Sequence, residues 1–223
     1  MRRPGSRTAQ LAALVLLGTS LLCTQVPLLN YLGLEFALVT VLVAACLAGL
    51  AGLRHWSGEG LQTERWSVEL RRLVEVLTLV LIPLAVISAN GLIVKNCAWD
   101  EGLLIYGLTV VPGVLFSYSL ARLVAAGLLK GRVLVFSLLY IVILLHVPWV
   151  TLTGPQLFAF NPILGYFPGV TYDEALPVDQ RLWVYRAATV AGAAAILLLA
   201  RHLAAVRWSG VIRPASQTEY GLG

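Results

Sequence analysis

At 223 residues, 59% hydrophobic and 12% charged, with a mean hydropathy of +0.84, the chain holds more apolar surface than a soluble fold of its size can bury. Soluble domains carry about twice that charged fraction, so a water-soluble enzyme or binding domain is excluded and the surplus must face lipid. The net charge of +5 does not signal nucleic acid, because the basic residues, nearly all arginine, sit between apolar segments instead of along one face.

No long polar block divides the chain, so residues 1–223 read as one membrane domain, all-α and polytopic. A helix needs roughly 20 apolar residues to cross the hydrocarbon core, and lipid forces such a stretch into helix by leaving no other partner for its backbone groups. Six stretches qualify, at about 9–27, 34–53, 73–94, 103–128, 133–150 and 187–206. The first, from Met1 to Cys23, has the basic start and apolar run of a signal peptide but no A-x-A-like cleavage site. Ser20-Leu21-Leu22 also lacks the small residue that a lipoprotein site places before its cysteine, so the segment reads as the first transmembrane helix. A tight hairpin at 28–33 leads to the second span and a charged loop at 54–72 to the third.

Within that loop, residues 63–76 predict a short helix running into span three. Glu64, Arg65, Glu69, Arg72 and Glu75 stand at three- and four-residue spacings that allow ion pairs along it, while Trp66 and Leu70 share an apolar stripe. Two readings stay open. The plainer is an interfacial stub that orients span three; the sharper is a cytoplasmic docking helix carried by Trp66, Leu70, Arg71 and Arg72.

Pro83 and Pro112 lie inside spans three and four, with Gly113 after the second. Each removes a backbone hydrogen bond and bends its helix, which suits a hinge or cavity of the transporter kind as well as an ordinary membrane helix. Glu35, Asn90 and Arg122 are polar residues within spans, where burial is expensive. Glu35 and Asn90 lie near helix ends and Arg122 reaches the cytoplasmic surface by snorkelling, so all three read as anchors of the bundle. Ala187, Ala188, Ala191, Gly192 and Ala195 open span six with a small-residue face for close packing against another helix, in this chain or a partner.

The connection at 151–186 is the most unusual segment. Its prolines and glycines forbid a long helix, and its aromatics forbid a polar linker. A structured loop of this length without regular elements is usually functional. It is expected to fold on the outer membrane surface, as a plug or as an interaction loop built from Phe158, Phe160, Asn161, Pro162, Tyr166, Phe167, Pro168, Tyr172, Asp173 and Glu174.

Loop charge sets orientation. With the N-terminus in the cytoplasm, that side holds Arg2, Arg3, Arg7, Arg54, Arg65, Arg71, Arg72, Arg122, Lys130, Arg132, Arg201, Arg207 and Arg213, against Lys95, Arg181 and Arg186 opposite. The imbalance places both termini in the cytoplasm and the chain in an inner (plasma) membrane. Catalytic chemistry finds no carrier. The carboxylate pairs Asp100–Glu101 and Asp173–Glu174 are adjacent residues in loops, which do not share a helix face. His55 and His202 fall near one membrane face and His146 near the other, so no metal site forms from them. HExxH, GxSxG and Walker A motifs are absent from these 223 residues, and no cofactor is expected. Cys23 and Cys97 both approach the outer face, where a disulfide is open to them.

Three stretches, CTQVPLLNYLGLEFA at 23–37, NCAWDEGLLIYG at 96–107 and GPQLFAFNPILGYFPGVTYDE at 154–174, resemble the N-terminal six-helix membrane module of a bacterial membrane family. In some members that module precedes a peptidase MA-like, zinc-protease-type domain. The resemblance implies the membrane part alone here, or a member that lost or never had the enzyme, since no HExxH helix follows it by Gly223 and no catalytic residue carries over. The layout is also similar to half of an exporter-type ABC permease, with the 63–76 helix in the place of a coupling helix. Two functions are therefore expected: a non-enzymatic anchor or scaffold binding another membrane protein through its outer loop, or a permease subunit paired with a cytoplasmic ATPase.

Overall fold

The protein is described by a computed structural model covering residues 5–54, 66–94, 98–128, 130–154, 159–167, 178 and 180–211. Its elements are α1 (Gly5–Cys23), α2 (Leu34–Arg54), α3 (Trp66–Leu79), α4 (Leu81–Asn90), α5 (Trp99–Gly127), α6 (Arg132–Thr153), β1 (Ala159–Asn161), β2 (Gly165–Phe167) and α7 (Gln180–Val211). Among the described residues the fold is helical apart from this short ribbon, and five helical stretches are long and apolar enough to cross a membrane: Leu34–Leu53, Trp66–Asn90 (α3 with α4), Trp99–Gly127, Arg132–Thr153 and Gln180–Val206. A shorter apolar helix, Arg7–Cys23, lies within α1.

Proline chemistry places two of the helix ends. Continuing α1 would require an N–H at Pro27 to reach the Cys23 carbonyl, and the ring would collide with that oxygen. The chain turns instead, Val26 N–H donating to Cys23 at 3.1 Å, so α1 stops short of the end of the expected 9–27 span. Likewise Pro83 opposes the Leu79 carbonyl, and the helix breaks at Val80, between α3 and α4 and inside the expected 73–94 span. The Val80 carbonyl at this break accepts the Tyr106 hydroxyl at 2.8 Å. Pro112 and Pro148 leave α5 and α6 unbroken. The stub runs without interruption into the first part of span three, as α3 from Trp66 to Leu79, while residues 63–65 lie outside the described residues.

The centre of the bundle is α5, packed between α2 and α7. Small residues allow the approach. On α2, Gly52 lies where an added methyl would stand 3.2 Å from both Ala121 Cβ and the Tyr118 carbonyl. Ser117 of α5 donates to the Ala45 carbonyl of α2 at 2.6 Å. Outside this core, α1 lies against α4 and α2, and α6 leans on α5 and α2. The Phe136 ring of α6 fills the notch above Gly49, and Tyr140 donates to the Leu42 carbonyl at 2.7 Å. Leu134, Leu138, Val142 and Leu145 on the far side of α6 are exposed, as a lipid-facing surface requires.

α7 turns a different face inward from its small-residue one. It buries Leu182, Arg186, Thr189, Ala193, Leu197, Ala200 and Ala204, a stripe at three- and four-residue spacing. Ala187, Ala188, Ala191 and Ala195 are exposed, so within the chain the packing face is the one that carries Arg186.

Candidate functional site

The 151–186 connection does contain regular structure, contrary to expectation. β1 and β2 pair antiparallel in the register Ala159↔Phe167, Phe160↔Tyr166 and Asn161↔Gly165. The turn between them is written in the sequence Asn161-Pro162-Ile163-Leu164-Gly165. Asn161 folds back on it, Oδ1 accepting from the backbone N–H of Ile163 at 2.9 Å and of Leu164 at 3.1 Å. This is the local side-chain bond that makes asparagine a turn residue. Gly165 closes the turn at φ +91°, a conformation that L side chains rarely adopt.

The turn lies inside the helix bundle. Ile163 and Asn161 are fully buried. Asn161 Nδ2 donates to the Ile143 carbonyl of α6 at 2.6 Å, and the Ile163 carbonyl rests on Gly113 of α5, where a methyl would collide with it and with Val41 of α2. Gly113 is the fifteenth of the 29 residues of α5, so the tip reaches half-way along the central helix. That seat fills the space beside Pro112 that the sequence suggested as a hinge or cavity.

Arg186 of α7 holds the tip from the other side. Its guanidinium, 2% exposed, donates through Nη1 to the Pro162 carbonyl at 3.1 Å and through Nη2 to Thr109 at 3.3 Å and Ile163 at 3.4 Å. No carboxylate faces it among the described residues, and its Nε has no partner there. The planar fork matches several carbonyls at once. Gly165 is needed a second time here, because a side chain would strike the guanidinium. One turn edge is further fixed by Phe160, whose ring meets Tyr185 at 4.9 Å.

A second buried polar group joins α3 to α5. Glu69 is fully buried, its Oε2 accepting from Arg122 Nη2 at 2.8 Å and its Oε1 from the Tyr118 hydroxyl at 2.9 Å. Arg122 is 4% exposed, so it does not snorkel to the surface as expected, and Glu69 pairs across the bundle instead of along its own helix. Along α3, Arg71 pairs with Glu75 at 3.1 Å, exposed. Beside the triad a cavity of about 200 Å³ opens among α1, α2 and α3.

Of the docking-helix residues, Trp66 and Leu70 are exposed, the Trp66 ring lying 4.0 Å beneath the Arg201 guanidinium. Arg72 is half-buried. Asn90 ties α4 to the α1–α2 hairpin by donating to the Asn30 carbonyl at 2.6 Å. Glu35 opens α2, and burial, with a further contribution from this carboxylate, pushes the Tyr31 phenol up. Asp100 and Glu101 sit in the first turn of α5, where the helix dipole favours them. Among the loop residues, Phe158, Pro168, Tyr172, Asp173 and Glu174 lie outside the described residues, as does Cys97; Cys23 carries a free thiol. No three metal-ligating side chains gather among the described residues.

Arg186, Glu69, Tyr118 and Gly165 were not singled out from sequence as site residues. For Arg186 a signal existed, since a cation seven residues into a long helix and followed by an alanine run falls within reach of the core. Compared with protein families, curated proteins and solved structures, the chain matches none.

Proposed function

We propose that the chain is a six-span, non-enzymatic membrane module of a bacterial inner membrane, an anchor or scaffold whose 151–186 connection is its outward-facing interaction surface. One observation carries the reading: the hairpin turn is sunk half-way along α5 and fixed by Asn161, Gly165 and Arg186. A loop that only joined two spans would need none of this. Burying an arginine at that depth is expensive, and the return is a rigid base from which the rest of the connection is presented. A partner would then be another membrane protein or a domain held against the same face.

The sixth span is α1. Its 19 residues extend about 28 Å at 1.5 Å per residue, close to the roughly 30 Å of a hydrocarbon core. With six crossings the arginine-rich loops share one side with both termini, in keeping with the positive-inside rule. Reporter fusions at residue 100 and at the C-terminus are expected in opposite compartments; the same compartment for both would sink the topology. For the interaction, tagged wild-type protein drawn from native membranes should retain a partner that Gly165→Ala releases while still inserting. Retention of the same partner by both would remove the loop from its role.

A permease subunit is the second reading, favoured by the exposed apolar side chains of Trp66 and Leu70 at the start of α3. In that case the retained partner is a cytoplasmic ATPase, and Trp66→Ala with Leu70→Ala, not the hairpin variant, releases it.

A further inference from the structure

α5 and α7 pack along each other, yet a groove of about 470 Å³ stays open between them. That volume falls within the range of about 300–1,000 Å³ typical of small-molecule sites. Gly107 leaves the space, since a methyl added there would meet nothing within 4 Å. Trp99, Leu103 and Gly107 follow one another at four-residue spacing, so they share one face of α5, with Leu104 beside them. Trp183 of α7 closes the groove from the neighbouring helix. From Trp99 to Gly107 is eight residues, about 12 Å along the helix axis. Trp99, Leu103, Leu104 and Trp183 are all exposed, as befits a groove that opens toward lipid.

One end carries a charge. Asp100 borders the groove from the first turn of α5, where it is exposed and makes no hydrogen bond or ion pair among the described residues. Its carboxylate repels an anionic headgroup and attracts an ammonium. The Trp99 indole next to it adds to that preference, because the face of an indole attracts a cation. A tryptophan at a helix end also serves as a plain interfacial anchor. Anchoring, however, needs neither a second tryptophan across a shared groove nor a carboxylate at its mouth. An apolar channel that starts at interface depth beside an acid matches one acyl chain beneath a cationic head.

We infer that the α5–α7 groove binds a phospholipid with an ammonium headgroup, Asp100 and Trp99 meeting the ammonium while one acyl chain runs past Trp183 over Gly107. The inference needs only that these two helices lie in a bilayer and is independent of the role of residues 151–186.

The test is native mass spectrometry of the full chain released from micelles that contain phosphatidylethanolamine and phosphatidylglycerol of identical acyl chains. Wild-type protein should retain one phosphatidylethanolamine, about fivefold over phosphatidylglycerol, the bias that an exposed ion pair and a cation–π contact supply together. Asp100→Asn should abolish the bias while a lipid stays bound. Gly107→Leu fills the groove without striking the protein and improves helix propensity. It should reduce retention of either lipid by about tenfold, with helical content unchanged by circular dichroism. Trp183→Ala removes the opposite wall and should lower retention by about threefold; it decides in place of Gly107→Leu if that variant fails to fold. Equal retention of the two lipids by wild type, a preference for phosphatidylglycerol, a bias that survives Asp100→Asn, or unchanged retention in a folded groove variant overturns the assignment.

Discussion

Breaking the Glu69–Arg122 pair from one side should destabilise the bundle far more than deleting the whole cluster. In Arg122→Leu, a carboxylate that is fully buried keeps only the Tyr118 hydroxyl as partner. In Glu69→Leu, Arg122, 4% exposed, loses this carboxylate and the Tyr118 hydroxyl loses its acceptor. Removing one member of a buried pair costs about 3–5 kcal/mol, because the remaining charge stays out of water. The double variant Glu69→Leu with Arg122→Met removes both charges but leaves the Tyr118 hydroxyl buried without its acceptor, at about 1–3 kcal/mol. Adding Tyr118→Phe removes that group too, and apolar replacements of buried pairs are often neutral or stabilising. The triple variant should therefore return to within about 1 kcal/mol of wild type, with both single variants the least stable of the series.

The assay is reversible unfolding in mixed micelles, followed by circular dichroism as the fraction of denaturing detergent rises. The pattern across the cycle decides more than any single value, since partners in one network are not additive. Single variants within about 1 kcal/mol of wild type, whose effects add in the double, would mean that the two side chains are solvated. Burial of Glu69 against α5 would then be refuted.

Four further outcomes follow from the hairpin and the helix breaks. Gly165→Ala forces a side chain into φ +91° and against Arg186, and should cost at least about 1–3 kcal/mol and speed proteolysis between α6 and α7; unchanged cleavage would mean that the tip is not seated. Asn161→Ala strands the Ile163 and Leu164 N–H groups and the Ile143 carbonyl, so amide exchange at 163 and 164 should accelerate at least tenfold, for about 1–3 kcal/mol. Arg186→Met removes the donors to three carbonyls, and the same two amides should lose protection, while protection elsewhere on α7 stays as it was. Tyr106→Phe removes one bond to Val80 and should cost about 1 kcal/mol in the same unfolding assay; a loss several times larger would show that the α3–α4 break depends on that tether.

How much of this was legible in the sequence depended on the range of the signal. Hydropathy located the long helices, because lipid admits no other spanning structure for such runs, but the helices of spans three and six begin at Trp66 and Gln180, seven residues ahead of the expected 73 and 187. The ends moved where proline chemistry acted at i−4, as at Pro27 against Cys23 and Pro83 against Leu79. Faces were harder. On α7 the alanines at 187, 188, 191 and 195 looked like the packing surface, yet the buried stripe runs through Arg186, because three carbonyls lie on that side and none of them is near in sequence. Glu69 and Arg122 were both noticed and both misplaced for the same reason. Their partners are 53 residues apart, and local spacing offered Glu69 a set of cations on its own helix. The Asn161–Gly165 turn had its residues in plain view, but no periodicity reports that a surface loop descends between helices.

The contacts divide into two kinds, and the division says which parts can come loose. Between lipid-facing helices there is little hydrophobic drive to associate, so close packing and polar bonds must supply it. The α2–α5–α7 core uses mainly packing, through Gly52, Ala121 and the buried Ala193, Leu197, Ala200 and Ala204 of α7. Four of the other elements are joined by a few polar bonds: α3 by Glu69 to Tyr118 and Arg122, α4 by Val80 to Tyr106 and Asn90 to Asn30, α6 by Tyr140 to Leu42, the hairpin by Asn161 and Arg186. Packing spread over many residues tolerates one substitution, whereas a tether of one or two bonds does not. Single changes at the tethers should therefore release one peripheral element at a time and leave the three-helix core assembled. Changes such as Gly52→Leu, which wedge α2 from α5, should instead lose the whole bundle together.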